Sequence, residues 1–261
     1  MPFSRRDSLL LRDITHTLRR PPAQRSTCGS GNRSDTRERR MTETPVALRK
    51  TTSIAWPGTP LPRAFFDRPS TLLAPLLLNK ILAAADGRAG RIVEVEAYAG
   101  AVDPAAHTYR GKTARNATMF GPPGHLYVYF TYGMHWCANC VAGPEGAGGA
   151  VLIRALEPLH GLAQMRAARP RASVDRDLCR GPARLTQAMG ISGAQDGIDL
   201  VAALEGFTVV DDGTAPPGDP QVGPRIGISV AKDFPWRWCV PGNRHVSGSA
   251  TLRSCARTRQ E

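Results

Sequence analysis

Acidic residues are scarce in this chain: 22 Asp and Glu stand against 34 Lys and Arg in 261 residues, a net charge of +12. Such an excess favours a polyanionic partner, of which nucleic acid is the commonest. It is unevenly spread. Residues 1–50 hold 12 Lys and Arg against 5 Asp and Glu, which leaves +5 for residues 51–261 and a folded part that is only moderately basic. The carboxylates form no multi-ligand cluster of the kind a metal-dependent nuclease requires. Cysteine is also used sparingly, at positions 28, 137, 140, 179, 239 and 255. Cys137 and Cys140 make one CxxC, but no second CxxC and no paired histidines accompany it, so no metal site is expected. Residues three apart on a strand face opposite ways, and these thiols read as structural and reduced. A glycine-rich nucleotide-binding fingerprint and internal repeats are lacking too. Leu9–Leu11 is far too short for a secretory signal or a membrane span.

Residues 1–60 are rich in Arg, Ser, Thr and Pro and read as a basic, disordered extension, with RSTCGSGNRSDTRERR its least foldable part. Translation from Met1 and from Met41 are both open readings. Residues 250–261 read as a basic C-terminal tail, and residues 61–249 as one domain.

What the domain does contain is concentrated between Arg91 and Asn139. RIVEVEAYAG alternates, placing Val93, Val95 and Ala97 on one face of a strand and Glu94, Glu96 and Tyr98 on the other. A polar, turn-prone segment follows, Ala105 to Asn116, carrying His107, Arg110, Lys112 and Arg115. The cluster Gly121–Gly124 makes a turn into Leu126–Tyr132, a β-prone run. Gly133 permits reversal into Met134–Cys140, which predicts a hairpin with Tyr132 at or beside its tip. A large aromatic at an exposed reversal serves no core. Carboxylate, histidine, tyrosines and flanking Arg and Lys point to a pocket for a flat, electron-poor ring beside a polyanion.

Around this stretch, Ser70 to Asn79 reads as a helix capped by Ser70, with Pro75 awkward in its interior. A short strand continues from Lys80, and Gly87 turns the chain into Arg91–Tyr98. Ala150, Leu152, Arg154 and Leu156 share one face of a buried strand, where Arg154 must find acceptors. Pro158–Ala168 reads as a helix with Leu159, Leu162 and Met165 inward. Asp177–Gly190 contains another, with Pro182 in its first turn and Gly190 at its end. Gly197–Asp212, Arg225–Val230 and Trp236–Val240 read as strands.

The segments EVEAYAG, AAHTYRGKTARN, MFGPPGHLYVYFTYGMHWCAN and VLIRALEP together resemble the alkyladenine (3-methyladenine, methylpurine) DNA glycosylase family. The LCRGP, RIGI and PWRW…GNRHVS elements extend the resemblance in order from about Ala64 to Ser247. Trp238 stands where the family commonly has Phe. The resemblance implies an α+β fold: a single mixed domain with a curved, mainly antiparallel β-sheet flanked by helices, from which a DNA-intercalating hairpin protrudes. Hairpin-rich strands with few helices between them agree with that class.

The same resemblance implies a monofunctional glycosylase of base excision repair. It would flip alkylated or deaminated purines from duplex DNA and hydrolyse the N-glycosidic bond. Periodicity alone does not separate Glu94 from Glu96; the family motif gives the catalytic role to Glu96, two residues before Tyr98. Tyr98, His107, Tyr129, Asn139 and Arg154 become pocket residues, Asn139 at the position that crowds the 2-amino group of normal guanine. Tyr132 becomes the wedge, and Arg110, Arg115, Arg180 and Arg184 candidate phosphate contacts. The implied partner is double-stranded DNA containing damaged purines, met by a monomer with no cofactor, no metal and no membrane. A cytoplasmic, DNA-associated location is expected, with nucleus or organelle left open. Two other functions fit parts of the pattern: a non-catalytic lesion-binding protein on the same fold, and a metal-dependent nuclease.

Overall fold

The structure is a computed structural model that describes residues 58–202 and 206–248 and the backbone of 253–254. The predicted basic extension (but for its last residues, 58–60) and most of the C-terminal tail therefore lie outside the described residues. Among the described residues, ten strands form one antiparallel sheet. They are β1 (Thr59–Pro60), β2 (Ile81–Ala84), β3 (Ala89–Ala99), β4 (Leu126–Thr131), β5 (His135–Ala142), β6 (Gly149–His160), β7 (Phe207–Asp211), β8 (Gln221–Gly223), β9 (Arg237–Cys239) and β10 (Arg253–Ser254). The main order is β1-β7-β2-β3-β6-β5-β4, with β9 beside the second half of β3, then β8 and β10. Helices α1 (Arg63–Phe66), α2 (Ser70–Leu77), α3 (Leu162–Ala168) and α4 (Pro182–Met189) complete an α+β domain. Among the described residues, no helix is long and apolar enough to cross a membrane.

β3 is the axis of the sheet. Its first half pairs with β2, its second half with β9, and its other edge runs along β6. Leu73, Ala74 and Leu77 of α2 join one large core cluster, as do Leu185, Ala188 and Met189 of α4. Each leucine or methionine among them contributes about 1.5–3 kcal/mol when removed from water, so covering the sheet face sets where the helices lie.

Two neighbouring irregularities on β3 and β6 shape everything that follows. Ile92 pairs with Leu156 and Glu94 with Ala155, leaving Val93 as an extra residue; Val95 then pairs with Ile153, leaving Arg154 extra on β6. A bulge of this kind shifts the alternation of side chains by one. Strict alternation places Val93 with Val95 and Ala97, but the core cluster contains Ile92, Val95 and Ala97 instead. It likewise puts Leu156 beside Arg154, whereas Leu156 is in the core with Ile153 and Val151. Glu94, Glu96 and Arg154 end up on the opposite side.

Other boundaries also differ from expectation. Pro69, not Ser70, occupies the cap position of α2; Pro75 is interior, and the buried Ser70 hydroxyl has no hydrogen-bond partner. β6 runs on to His160, and the helix expected from Pro158 begins only after Gly161, whose φ is 72°. A Cβ there would lie 2.7 Å from the Arg88 side chain, so glycine is required on both counts. Leu159 consequently packs in a small strand cluster with Ile81, Ala83, Ala89 and Val210. Among the described residues of the stretch Gly197–Asp212, only Phe207–Asp211 is strand, and Arg225–Val230 is an irregular loop.

The predicted hairpin is present as β4 and β5, with Tyr127 opposite Asn139 and Tyr129 opposite Cys137. The Met134 N–H donates to the Thr131 carbonyl across the turn, and Tyr132 and Gly133 have φ of 51° and 63°. Two successive positive φ values are the hallmark of a type I′ turn, whose twist matches that of the paired strands. Gly133 adopts this without penalty. Tyr132 does so at a cost of about 1–2 kcal/mol.

Candidate active site

A cavity of about 500 Å³ opens between the β4–β5 hairpin, the segment 104–107, β6 and the loop 226–230. Alternation on β4 and β5 delivers its aromatic wall: Tyr127 and Tyr129 from one strand, Cys137 and Asn139 from the other. Tyr127 and Tyr129 stack at 5.4 Å, and the His107 ring meets Tyr129 edge-on at 4.4 Å. His107 Nδ1 and the Tyr127 hydroxyl are 3.0 Å apart. Burial, and secondarily Arg115, hold the His107 pKa below its usual value, so the imidazole is neutral at pH 7. Burial pushes the Tyr127 phenol up to about 12 and raises Tyr129 as well. Asn139 donates through Nδ2 to the Tyr127 carbonyl at 3.0 Å, which fixes its side chain on the cavity wall.

At the back of this cavity lies a buried group of charges. Arg154 forks between two carboxylates, Nε to Glu94 and Nη1 to Glu96, each at 3.1 Å. Glu94 also accepts from Arg237 Nη1 at 3.1 Å and, at its other oxygen, from the Ser247 N–H at 2.6 Å. Glu96 accepts from the Ile226 N–H at 2.7 Å and from the Tyr98 hydroxyl at 3.0 Å. Two anions and two cations thus sit together, and Glu94, Glu96 and Arg237 are wholly buried. Charges so placed persist only when paired and hydrogen-bonded. The two carboxylates differ in setting. Glu94 is enclosed by structural partners, whereas the partners of Glu96, namely Tyr98, Arg154 and Ile226, all line the cavity. Glu96 therefore stands directly behind the cavity wall rather than in it. Burial raises its pKa, against the opposing pull of Arg154, the Ile226 N–H and Tyr98. The Tyr98 phenol is raised too, by burial and by the carboxylate it serves.

Tyr132 stands at the cavity mouth, 73% exposed, its hydroxyl donating to the Gly227 carbonyl at 3.2 Å. The four arginines singled out from sequence separate into two pairs. Arg115 donates to the Phe130 carbonyl and lies over the Tyr129 ring, and Arg180 donates to the Val246 carbonyl; both brace the fold. Arg110 and Arg184 are exposed, the latter 3.9 Å from Asp177. Cys137 lines the cavity while Cys140 is in the core, so the CxxC thiols do face apart. Among the described residues, no group of three or more His, Cys, Asp or Glu comes together in a way that could hold a metal.

The model of the methylpurine-DNA glycosylase (MPG) family matches residues 64–244, well over half of the chain. The chain belongs to the methylpurine-DNA glycosylase family. Relatives whose names contain the words 3-methyladenine DNA glycosylase include one from Burkholderia cenocepacia. It is 78% identical over 201 residues, covering 77% of this chain and 97% of that one. One from Rhodopseudomonas palustris is 49% identical over 199 residues, 73% of this chain and 91% of the relative. One from Streptomyces avermitilis is 47% identical over 194 residues, 72% and 91%.

In this methylpurine-DNA glycosylase family member, three features of the cavity escaped the sequence reading. Tyr127 lies two residues before Tyr129, so the same alternation carried one strand position further would have found it. Arg237 and the Ser247 amide, which hold Glu94, come from segments whose contact with β3 leaves no local sequence signal. Arg225–Val230 has the composition of a strand, whereas its role as a cavity wall depends on its being irregular.

Proposed function

We propose that this protein is a monofunctional DNA glycosylase that excises alkylated or deaminated purines, of the 3-methyladenine, 7-methylguanine, hypoxanthine and ethenoadenine class, from duplex DNA. The observation that carries this reading is the buried Glu96–Arg154 pair directly behind an aromatic cavity whose mouth holds an exposed tyrosine. A damaged nucleotide must leave the stack before its glycosidic bond is accessible. Tyr132 fills the gap from the minor groove, offsetting an unstacking cost of roughly a few kcal/mol per step. Tyr98, His107 and Tyr129 receive the extruded base, and a cationic purine gains about 0.5–2 kcal/mol from each aromatic face it contacts.

Glu96 then acts as general base. It takes a proton from a water whose oxygen bonds to the sugar C1′ as the C1′–N bond breaks and its electron pair leaves with the base. Its negative charge, and the neutral state of His107, suit a sugar that becomes positive in the transition state. Cationic lesions depart as neutral bases; neutral lesions need protonation of the purine. Asn139 crowds the 2-amino group of ordinary guanine. Arg110 and Arg184 are the readier phosphate contacts, since Arg115 and Arg180 are engaged with backbone carbonyls. No lysine accompanies Glu96 in its motif, so no Schiff base forms and the strand is not nicked.

The test is a gel assay on a duplex carrying one hypoxanthine or ethenoadenine, beside methylated DNA, in EDTA, with and without alkali. Alkali-dependent cleavage that Glu96→Gln abolishes is the expected outcome. Tight lesion binding without release from any substrate would replace this reading with a non-catalytic lesion-binding protein, and loss of activity in EDTA with a metal-dependent hydrolase.

A further inference from the structure

One buried ion pair outside the Glu94–Arg154 group has no part in the chemistry described so far. Arg225 and Asp103 are both wholly inaccessible, and they meet in a bidentate contact at 2.5 and 2.8 Å. Each end of the pair is tied to a different wall of the cavity. Asp103 accepts the backbone N–H groups of Ala99 and Ala105, which fixes the turn that leads to Ala106 and His107. Arg225 donates to the Ala97 carbonyl of β3 at 3.0 Å. Its guanidinium also lies 4.7 Å from the centre of the Tyr98 ring and 5.1 Å from that of Trp236. The next residue along is Ile226, whose N–H donates to Glu96.

We infer that Arg225, locked by Asp103, is a positioning residue for the Glu96 reaction: it braces Tyr98 and holds the Ile226 N–H on the Glu96 carboxylate. The chain geometry leaves little slack. The planar fork of an arginine fixes both the carboxylate partner and the stacked ring, which a lysine ammonium does not. Adjacent residues in sequence cannot move independently, so fixing the Arg225 side chain at three points sets where Ile226 begins the cavity loop. Burial of the pair without a free opposite charge makes release of either end costly. The same contact therefore holds three cavity walls in mutual register: β3 through Ala97 and Tyr98, the 103–107 segment, and the 226–230 loop.

The inference rests on the reading of Glu96 as the general base, and its test separates the two. Glu96 is faced by Glu94 and Tyr98 of its own strand, Arg154 of β6, Tyr129 and Cys137 of the hairpin, and Cys239 of β9. Arg225→Lys substitutes none of these, keeps the charge opposite Asp103 and removes the fork that braces Tyr98. Loosening the Ile226 N–H takes a charge-assisted hydrogen bond from the carboxylate, which makes it harder to ionise. Under single-turnover conditions on a hypoxanthine duplex, the acid limb of the rate profile should move up by about one pH unit. Release on that limb should fall about tenfold. The dissociation constant for the same duplex should change by no more than about threefold. Asp103→Asn, isosteric and milder, should move the limb in the same direction.

A merely structural pair would lower the melting temperature and leave the midpoint where it was; that result in both variants overturns the inference. If neither variant folds, hydrogen exchange on the unaltered protein decides. The Ile226 amide should be strongly protected, and its exchange at the rate of an open loop overturns the inference. Should Glu96→Gln keep the full rate, the general-base reading fails by itself, and slow exchange at Ile226 in the unaltered protein would still show the clamp.

Discussion

Replacing Glu96 by Gln should make the protein more stable at neutral pH while removing most of its activity. The carboxylate is fully buried, and burial pushes its pKa above the value it has in the unfolded chain, in spite of Arg154, Tyr98 and the Ile226 N–H. A carboxyl group whose pKa is raised by folding binds its proton more tightly in the native state. Its contribution to stability is thus full below the unfolded pKa and is lost as pH rises through the native one. On the proposed reading Glu96 works as the ionised base, which is the less favourable of its two forms in this setting.

Gln resembles the protonated form in shape and charge. It can accept from the Ile226 N–H and donate to the Tyr98 oxygen, and Arg154 keeps its bond to Glu94. Replacing a whole buried ion pair by neutral groups is neutral or gains about 1–4 kcal/mol, and removing one partner is costly only where it leaves a charge uncompensated; here Arg154 keeps Glu94. The lower end applies here, because Arg154 loses one of its two counter-charges. A gain of about 1 kcal/mol corresponds to a melting temperature higher by about 2–4 °C in a domain of this size. Base release should meanwhile fall by about 10²–10⁴, the range for loss of a general base.

Calorimetric melts of both proteins from pH 4 to pH 8, beside single-turnover assays, supply the comparison. The gap in melting temperature should close as pH falls through the raised native pKa towards that of the unfolded chain, because the wild-type carboxyl takes up its proton there. A gap that stays the same at every pH would mean that the charge is not its cause. A variant less stable than the wild type at pH 7 would mean that Arg154 outweighs desolvation, and the argument would be refuted.

Two further outcomes concern the cavity mouth and wall. Tyr132→Asn should relieve the left-handed turn, raising stability by about 1 kcal/mol, while weakening retention of lesion duplex; both are read by thermal melts and dissociation rates. An unchanged dissociation rate would remove Tyr132 from the DNA contact. Asn139→Ala should increase release of unmodified guanine from ordinary DNA, measured as abasic sites; no rise would take Asn139 out of the discrimination against that base.

How much of this was legible in the sequence follows the range of the interactions. The hairpin could be placed from its β-prone runs and Gly133, because turn chemistry is local. The common face of Glu94, Glu96 and Tyr98 also came from alternation. Their partners on the core side did not, because the paired bulges at Val93 and Arg154 shift the pattern and depend on two strands at once. Glu94 and Glu96 are equivalent by spacing, and beyond the family motif their three-dimensional partners distinguish them: Arg237 and the Ser247 amide for one, the cavity-lining Tyr98 and Ile226 for the other. The Arg225–Asp103 pair joins residues 122 apart in the chain, beyond any periodicity.

The enclosure of Glu94, Glu96, Arg154 and Arg237 has a consequence for how the protein responds to its ionic surroundings. Dissolved ions screen charges over about 8 Å at physiological strength, but only where solvent can reach them. Arg110 and Arg184 are open to that screening; Glu94, Glu96 and Arg237 are wholly buried, and Arg154 meets the cavity with little exposure. On the proposed function, salt therefore acts on the grip and leaves the cut alone: higher ionic strength should shorten each visit to DNA while a captured lesion is processed at an unaltered rate.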